Sequence, residues 1–157
     1  MGKLRWPRGI FTDAGAAFSE LNVETFRLNG RLLVAGDRLT KDIGLTSARW
    51  QVLGTLRRAD GQFTVSQIAR DMGLQRQSVQ RTVDLLEKEG LVRLVDNPRH
   101  RRARLVTLTP KGRTTVGKVV RLQAKWANEI AKGIDSEDIE ASLATLRRLR
   151  ARLGGRN

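Results

Sequence analysis

Gly73 constrains this chain more than any other residue. It sits in "TVSQIARDMGLQRQSVQRTVDLLEKEG", between two helical patterns that leave room only for a tight turn. Before it, Thr64 and Gln67 have capping-box spacing, in which each side chain satisfies an amide of the other residue. Ile68, Ala69 and Met72 then form the inner stripe of a short helix, roughly 65–72. Glycine takes the left-handed conformation that ends a helix without a Cβ penalty. Beyond it, Val79, Val83 and Leu86 share a face, with Leu85 beside them, in a second helix over roughly 76–89 that Gly90 closes.

The next stretch changes period. "LVRLV" and "RLVTLT" are short Leu/Val-rich runs that read as strands, so "DNPRHRRA" between them is the loop of a β-hairpin over roughly 91–108. A helix, a tight turn, a helix and a hairpin make a winged helix-turn-helix. In that arrangement the second helix enters the major groove of DNA with its N-terminal residues leading. Gln75, Arg76, Gln77, Ser78, Gln80 and Arg81 crowd its beginning and outer faces. Gln pairs bidentately with adenine and Arg with guanine, and a helix N-terminus offers donors to a phosphate. At the hairpin tip, Arg99, Arg101 and Arg102 suit the negative potential of a minor groove. Arg104 lies in the return strand and is expected to face solvent. His100 reads as a polar tip residue rather than a pH switch.

Charge points the same way. The chain has 30 Lys and Arg against 16 Asp and Glu, a formal net charge of +14. A polyanion relieves such self-repulsion, nucleic acid first and an anionic membrane second. No apolar run approaches the ~20 residues of a membrane-spanning helix. The basic N-terminus lacks the apolar stretch of a signal peptide, so a soluble, cytoplasmic protein is expected. With no Cys and one His, there is no thiol chemistry, no Cys-ligated zinc and no His cluster. No nucleophile–base–acid set, phosphate loop or metal-ligand spacing is present, which argues against an enzyme, a cofactor or a metal.

The flanks are helical. Residues 1–12 show no period and read as an arm. Thr12 or Asp13 caps a long amphipathic helix in which Phe18, Leu21, Phe26, Leu32, Leu33, Leu39 and Ile43 recur. Gly30 and Gly36 weaken it by roughly 1 kcal/mol each relative to Ala, and such glycines permit close packing. Thr46 caps the next helix, where Trp50, Leu53 and Leu56 share a face, and "ADG" at 59–61 ends it. After "TPKG" come a helix lined by Val116, Val119, Val120, Ala124, Ala127, Ile130 and Ala131, with Trp126 beside them, and a break at Gly133. An acid-capped start at Asp135 and Asp138 then opens a helix carrying Ile139, Leu143, Leu146, Leu149 and Leu153. These stripes exceed what a small winged-helix core needs, which points to a homodimer. The expected fold is therefore mainly α with a small β-hairpin wing. One domain, 13–157, combines a DNA-binding lobe (45–109) with dimerisation helices (13–44 and 110–153).

"LTSARWQVLGTL", "TVSQIARDMGLQRQSVQRTVDLLEKEGLV" and "NPRHRRARLVTLTPKGR" together resemble the multiple-antibiotic-resistance regulator (MarR) family over roughly residues 45 to 113. The resemblance implies a homodimer built from the first helix and the last two. It also implies a repressor of a pseudo-palindromic operator, released by a small aromatic or phenolic ligand. The family's ligand cleft lies between dimerisation helices and DNA-binding lobe, so Phe26, Arg49, Trp50 and Trp126 are its candidates here, although both tryptophans also suit plain packing. The family's wing tip reads D-x-R-D-x-R. This chain has Asn97, Arg99, His100 and Arg102 there, so both acids are replaced. Asn97 is expected to hold its turn through side-chain-to-backbone bonds instead. Gln75 stands where the family often has Ser or Thr, which predicts a weak cap on the recognition helix. The +14 charge also allows an alternative reading, a non-specific nucleic-acid-binding or nucleoid-architectural protein.

Overall fold

The computed structural model describes residues 9–58, 62–100 and 102–154. Most of the N-terminal arm, the "ADG" turn and Arg101 lie outside the described residues. The chain divides into two compact units, one up to Val120 and one from Arg121.

In the first unit, α1 spans Asp13–Thr40 and α2 spans Ser47–Arg58. The Thr12 hydroxyl caps α1 by accepting from the Gly15 amide at 3.1 Å. The helical pattern expected to reach Ile43 stops at Thr40 and becomes a 3-10 turn, Lys41–Ile43, closed by Gly44 at φ 70°. The buried Thr40 hydroxyl accounts for the corner: it lies 2.9 Å from the Gly36 carbonyl and 2.7 Å from the Leu45 carbonyl beyond the turn. Ser47 docks α2 onto α1. Its hydroxyl donates to the Leu33 carbonyl at 2.9 Å, and its amide donates to Asp37 at 2.6 Å. A Cβ on Gly36 would run into the Ser47 hydroxyl and come within 3.1 Å of the Trp50 indole nitrogen, so the helices approach this closely only because residue 36 is glycine.

The helix-turn-helix follows as α3, Val65–Met72, and α4, Arg76–Lys88. Both halves of the predicted capping box form: the Gln67 amide donates to the Thr64 hydroxyl at 3.3 Å, and the Thr64 amide to the Gln67 side chain at 2.8 Å. Gly73, at φ 66°, ends α3. The inner stripe is the expected one, with Ile68, Val83 and Leu86 fully buried and Ala69 and Val79 nearly so. Leu85, which the sequence sets beside this stripe, faces outward. It is 52% exposed, because the residue next to Leu86 is rotated about 100° away from the core face.

The wing consists of β2, Val92–Val95, and β3, Leu105–Leu108, paired antiparallel with Leu94 opposite Val106. The sequence pattern did not indicate a third strand, β1, Phe63–Thr64, which pairs with β3 on its other edge. The order β1-β3-β2 ties the residues just before α3 to the tip-proximal half of β3. α5, Pro110–Ala131, begins immediately after the sheet. The Thr109 hydroxyl caps it by accepting from the Gly112 amide at 3.0 Å.

In the second unit, α5 finishes and α6, Ser136–Gly154, begins after a turn at Gly133, φ 80°. The Asp135 carboxylate accepts from the Glu137 amide at 2.9 Å, as the acid-capped start predicted. α6 has no buried residue, and its apolar stripe remains open at Ile139, Leu143, Leu146 and Leu153.

Candidate nucleic-acid interface

α4 buries Val79, Val83 and Leu86, and so turns its front end outward. Gln75 makes no side-chain cap, as predicted from its type. Gln75, Arg76, Gln77, Ser78 and Arg81 are exposed, and Gln80 is half-buried. Gln80 is also engaged, donating to Asp84 one turn on at 2.7 Å. The side chains of Arg76, Gln77 and Arg81 have no hydrogen-bond or ion-pair partner among the described residues, so their donors face outward.

The wing tip holds its shape without a carboxylate. The Asn97 side chain donates to the Ala103 carbonyl at 2.9 Å and accepts from the Arg99 amide at 3.0 Å. Two backbone turns reinforce it: the His100 amide donates to the Asn97 carbonyl at 3.2 Å, and the Ala103 amide to the His100 carbonyl at 3.0 Å. This is the side-chain-to-backbone bracing expected of Asn97. Arg99 and Arg102 are exposed, and their guanidinium groups have no partner among the described residues. Arg104 differs. Its guanidinium donates to the Leu94 carbonyl across the hairpin at 2.6 Å, so it buttresses the wing.

Sequence reading missed two features of this surface. Glu87, on α4, accepts from the Leu94 amide at 3.2 Å, so the recognition helix satisfies a donor on the outer edge of β2. The first turn of α3 also joins the surface. A cleft of about 190 Å³ is lined by Ser66 together with Arg76, Gln80, Arg102 and Arg104. A wider trough of about 610 Å³ lies between Gln67 and Arg70 of α3 and Asn97, Arg99 and His100 of the tip. Only the outward i, i+4 spacing of Ser66 and Arg70 hinted at this, and that spacing suits any solvated helix face.

A family profile described as the MarR family matches residues 43–103. The crystal structure of transcriptional regulator PA3341 is 32% identical and superposes with a TM-score of 0.74, covering 88% of this chain and 99% of that one. The chain belongs to the MarR family. An uncharacterized protein of Mycobacterium tuberculosis is 34% identical over 131 residues, 83% of this chain and 90% of the relative. The M. tuberculosis regulator MosR, solved in complex with DNA, is 25% identical with a TM-score of 0.70, covering 83% of this chain and 96% of that one. This MarR-family chain has the mostly helical winged-helix architecture of DNA-binding transcriptional regulators. No helix among its described residues is long and apolar enough to cross a membrane.

The four candidate ligand residues of this MarR-family protein fall in both units: Phe26, Arg49 and Trp50 in the first, Trp126 in the second. Arg49 is ion-paired with Glu89 at the end of α4. Phe26 is exposed, and Trp50 and Trp126 are half-buried. The Trp50 indole N–H is buried without a hydrogen-bond partner among the described residues, an unusual state for an indole donor.

Proposed function

We propose that the chain binds a pseudo-palindromic operator as a homodimer in the cytoplasm and represses transcription until a small aromatic or phenolic ligand releases it. One observation carries the DNA-binding part. Arg76 and Gln80 of the recognition helix and Arg102 of the wing line a single cleft. Base-reading and phosphate-binding groups thus converge on one face. Gln75, Arg76, Gln77, Ser78, Gln80 and Arg81 are the groove-facing set, and Arg99, Arg101 and Arg102 the wing set.

The open apolar stripes support self-association. Phe26, Leu28 and Val34 of α1 are more than half exposed in the single chain, and α6 buries nothing. Two-fold pairing would set recognition helices ~34–36 Å apart, one turn of DNA. The effector part rests on the family likeness, with Phe26, Arg49, Trp50 and Trp126 as its candidate contacts.

Selection of bound duplexes from a random pool, followed by footprinting, tests the reading. The expected result is a two-fold site with half-sites one helical turn apart. A flat sequence preference would identify a non-specific, architectural DNA binder, which the +14 charge allows. Addition of small phenols should then weaken binding to the selected site.

A further inference from the structure

We infer that Asp84 sets part of the sequence preference of the recognition helix without touching DNA. Its carboxylate locks the side-chain amide of Gln80 in one orientation, so that Gln80 reads an adenine on one strand only. This rests on the reading of the chain as a sequence-specific DNA-binding protein, and it assigns specificity to a residue outside the groove-facing set.

Asp84 is out of place by charge. The first turn of α4, where the helix dipole favours an acid, has none. Asp84 is exposed about two turns further on, in a helix whose front faces a polyanion. Ordinary pairing on the helix surface does not account for it. Arg81, three residues before, and Lys88, four residues after, have the spacing of i, i+3 and i, i+4 ion pairs. Among the described residues neither pairs with it. Asp84 instead accepts from the Gln80 side-chain nitrogen at 2.7 Å. The next two acids are committed to the scaffold, Glu87 to the Leu94 amide and Glu89 to Arg49. Of the three, only Asp84 turns to a groove-facing residue.

A free glutamine amide turns over and exchanges donor for acceptor. A carboxylate only accepts, so the Gln80 nitrogen faces Asp84 and its oxygen faces away. The reverse orientation would set two acceptors against each other. One N–H is used by Asp84, which leaves the second N–H and the oxygen as an adjacent donor and acceptor. Gln80 lines the cleft with Arg76 and Arg102, and Asp84 does not. An adenine edge offers the complement, N7 as acceptor and N6 as donor, in an order that reverses between A·T and T·A. A fixed amide matches one order, whereas a free amide fits both. The lock also restricts the Gln80 rotamers before DNA arrives, which lowers the entropy lost on binding.

The test is selection from randomised duplexes with the full chain, as parent, Asp84→Ala, Gln80→Ala and the double variant. Asp84 is exposed and Ala favours helix, so Asp84→Ala is expected to melt like the parent. The parent should prefer adenine on one strand at one position of each half-site. Gln80→Ala should lose that preference, by about 5- to 150-fold. Asp84→Ala should lose several-fold of it at the same position, with A·T and T·A becoming nearly equal. It should also bind a random duplex more tightly, because a negative charge has left the interface. Asp84→Asn removes the charge but keeps a hydrogen-bonding group, so it should retain an intermediate preference. In the Gln80→Ala background, Asp84→Ala should alter no base preference. An unchanged ratio of A·T to T·A in Asp84→Ala, or an equal change without Gln80, would overturn the lock. The two failures are distinct. A parent with no sequence preference ends the sequence-specific reading and the lock with it. A parent with a defined site whose profile survives Asp84→Ala ends only the role of Asp84.

Discussion

The side-chain amide of Asn97 reaches across the wing tip to the carbonyl of Ala103 at 2.9 Å, while its oxygen holds the Arg99 amide at 3.0 Å. One neutral residue therefore spans the loop that presents Arg99 and Arg102. Asn97→Ala removes both bonds, each worth roughly 0.5–1.5 kcal/mol net. Asn97→Asp keeps the acceptor but sets a carboxylate against the Ala103 carbonyl. Both variants should weaken DNA binding, and Asn97→Ala should lower the melting temperature by about 2–4 °C for each kcal/mol lost. A double-mutant cycle between Asn97→Ala and Arg99→Ala, read as DNA affinity, should be non-additive. Strict additivity would show that Asn97 does not act through the tip.

Gly112 meets the chain at the opposite end of the hairpin. A Cβ there would overlap the Leu91 carbonyl oxygen, and that oxygen is already engaged by the Thr109 amide at 3.1 Å. The start of α5 is thus pressed against the residue that follows the Gly90 turn. Gly112→Ala forces backbone apart rather than a flexible side chain, and overpacking of this kind costs about 1–3 kcal/mol. Urea denaturation should show a clearly lowered midpoint at unchanged slope. A parent-like midpoint would mean that α5 shifts freely.

Arg49 and Glu89 tie α2 to the C-terminal end of the recognition helix. Arg49 is only 19% exposed, so solvent screens the pair less than a surface pair. Lys111 adds a second hold on the same residue, donating to the Glu89 carbonyl at 2.8 Å. The coupling between Arg49→Ala and Glu89→Gln, from denaturation of the single and double variants, should fall near the upper end of the ~0.2–1 kcal/mol of exposed pairs. The singles should also differ. Arg49→Ala leaves a half-buried carboxylate unpaired, so it should destabilise more than Glu89→Gln, whose amide oxygen still accepts. Equal losses would assign the effect to packing of the Arg49 stem.

These relationships mark where sequence reading reaches its limit. The cap of Thr64, the Gly73 turn and the buried stripe of α4 are local: each depends on residues within one or two turns, and periodicity carries them. β1 is different. Phe63 and Thr64 become a strand only because Val106 and Leu105 lie opposite, over forty residues away. The wing arginines were visible as a cluster, with Arg104 already set apart by its place in the return strand, but its bond across the hairpin was not. Arg104 is bound to Leu94, whereas Arg99 and Arg102 are free, and that follows from hairpin register rather than residue type. Ser66 and Arg70 were passed over for the same reason, since only the fold brings the first turn of α3 beside the tip.

Gln77 and Arg102 offer the sharpest separation of roles on the interface. Gln77 is exposed at the front of α4, where an amide presents both a donor and an acceptor to a base edge. Arg102 lines the cleft beside the recognition helix, where a guanidinium meets backbone or minor groove. Gln77→Ala should therefore change which duplexes are preferred, costing about 1–3 kcal/mol on the selected site and little on random sequence. Arg102→Ala should weaken both by a similar factor and flatten the salt dependence. Anisotropy titrations of both variants on both duplexes provide the four numbers needed. If Gln77→Ala loses affinity equally on both duplexes, the front of α4 grips the backbone, and base reading must rest with Arg76, Gln80 or Arg81.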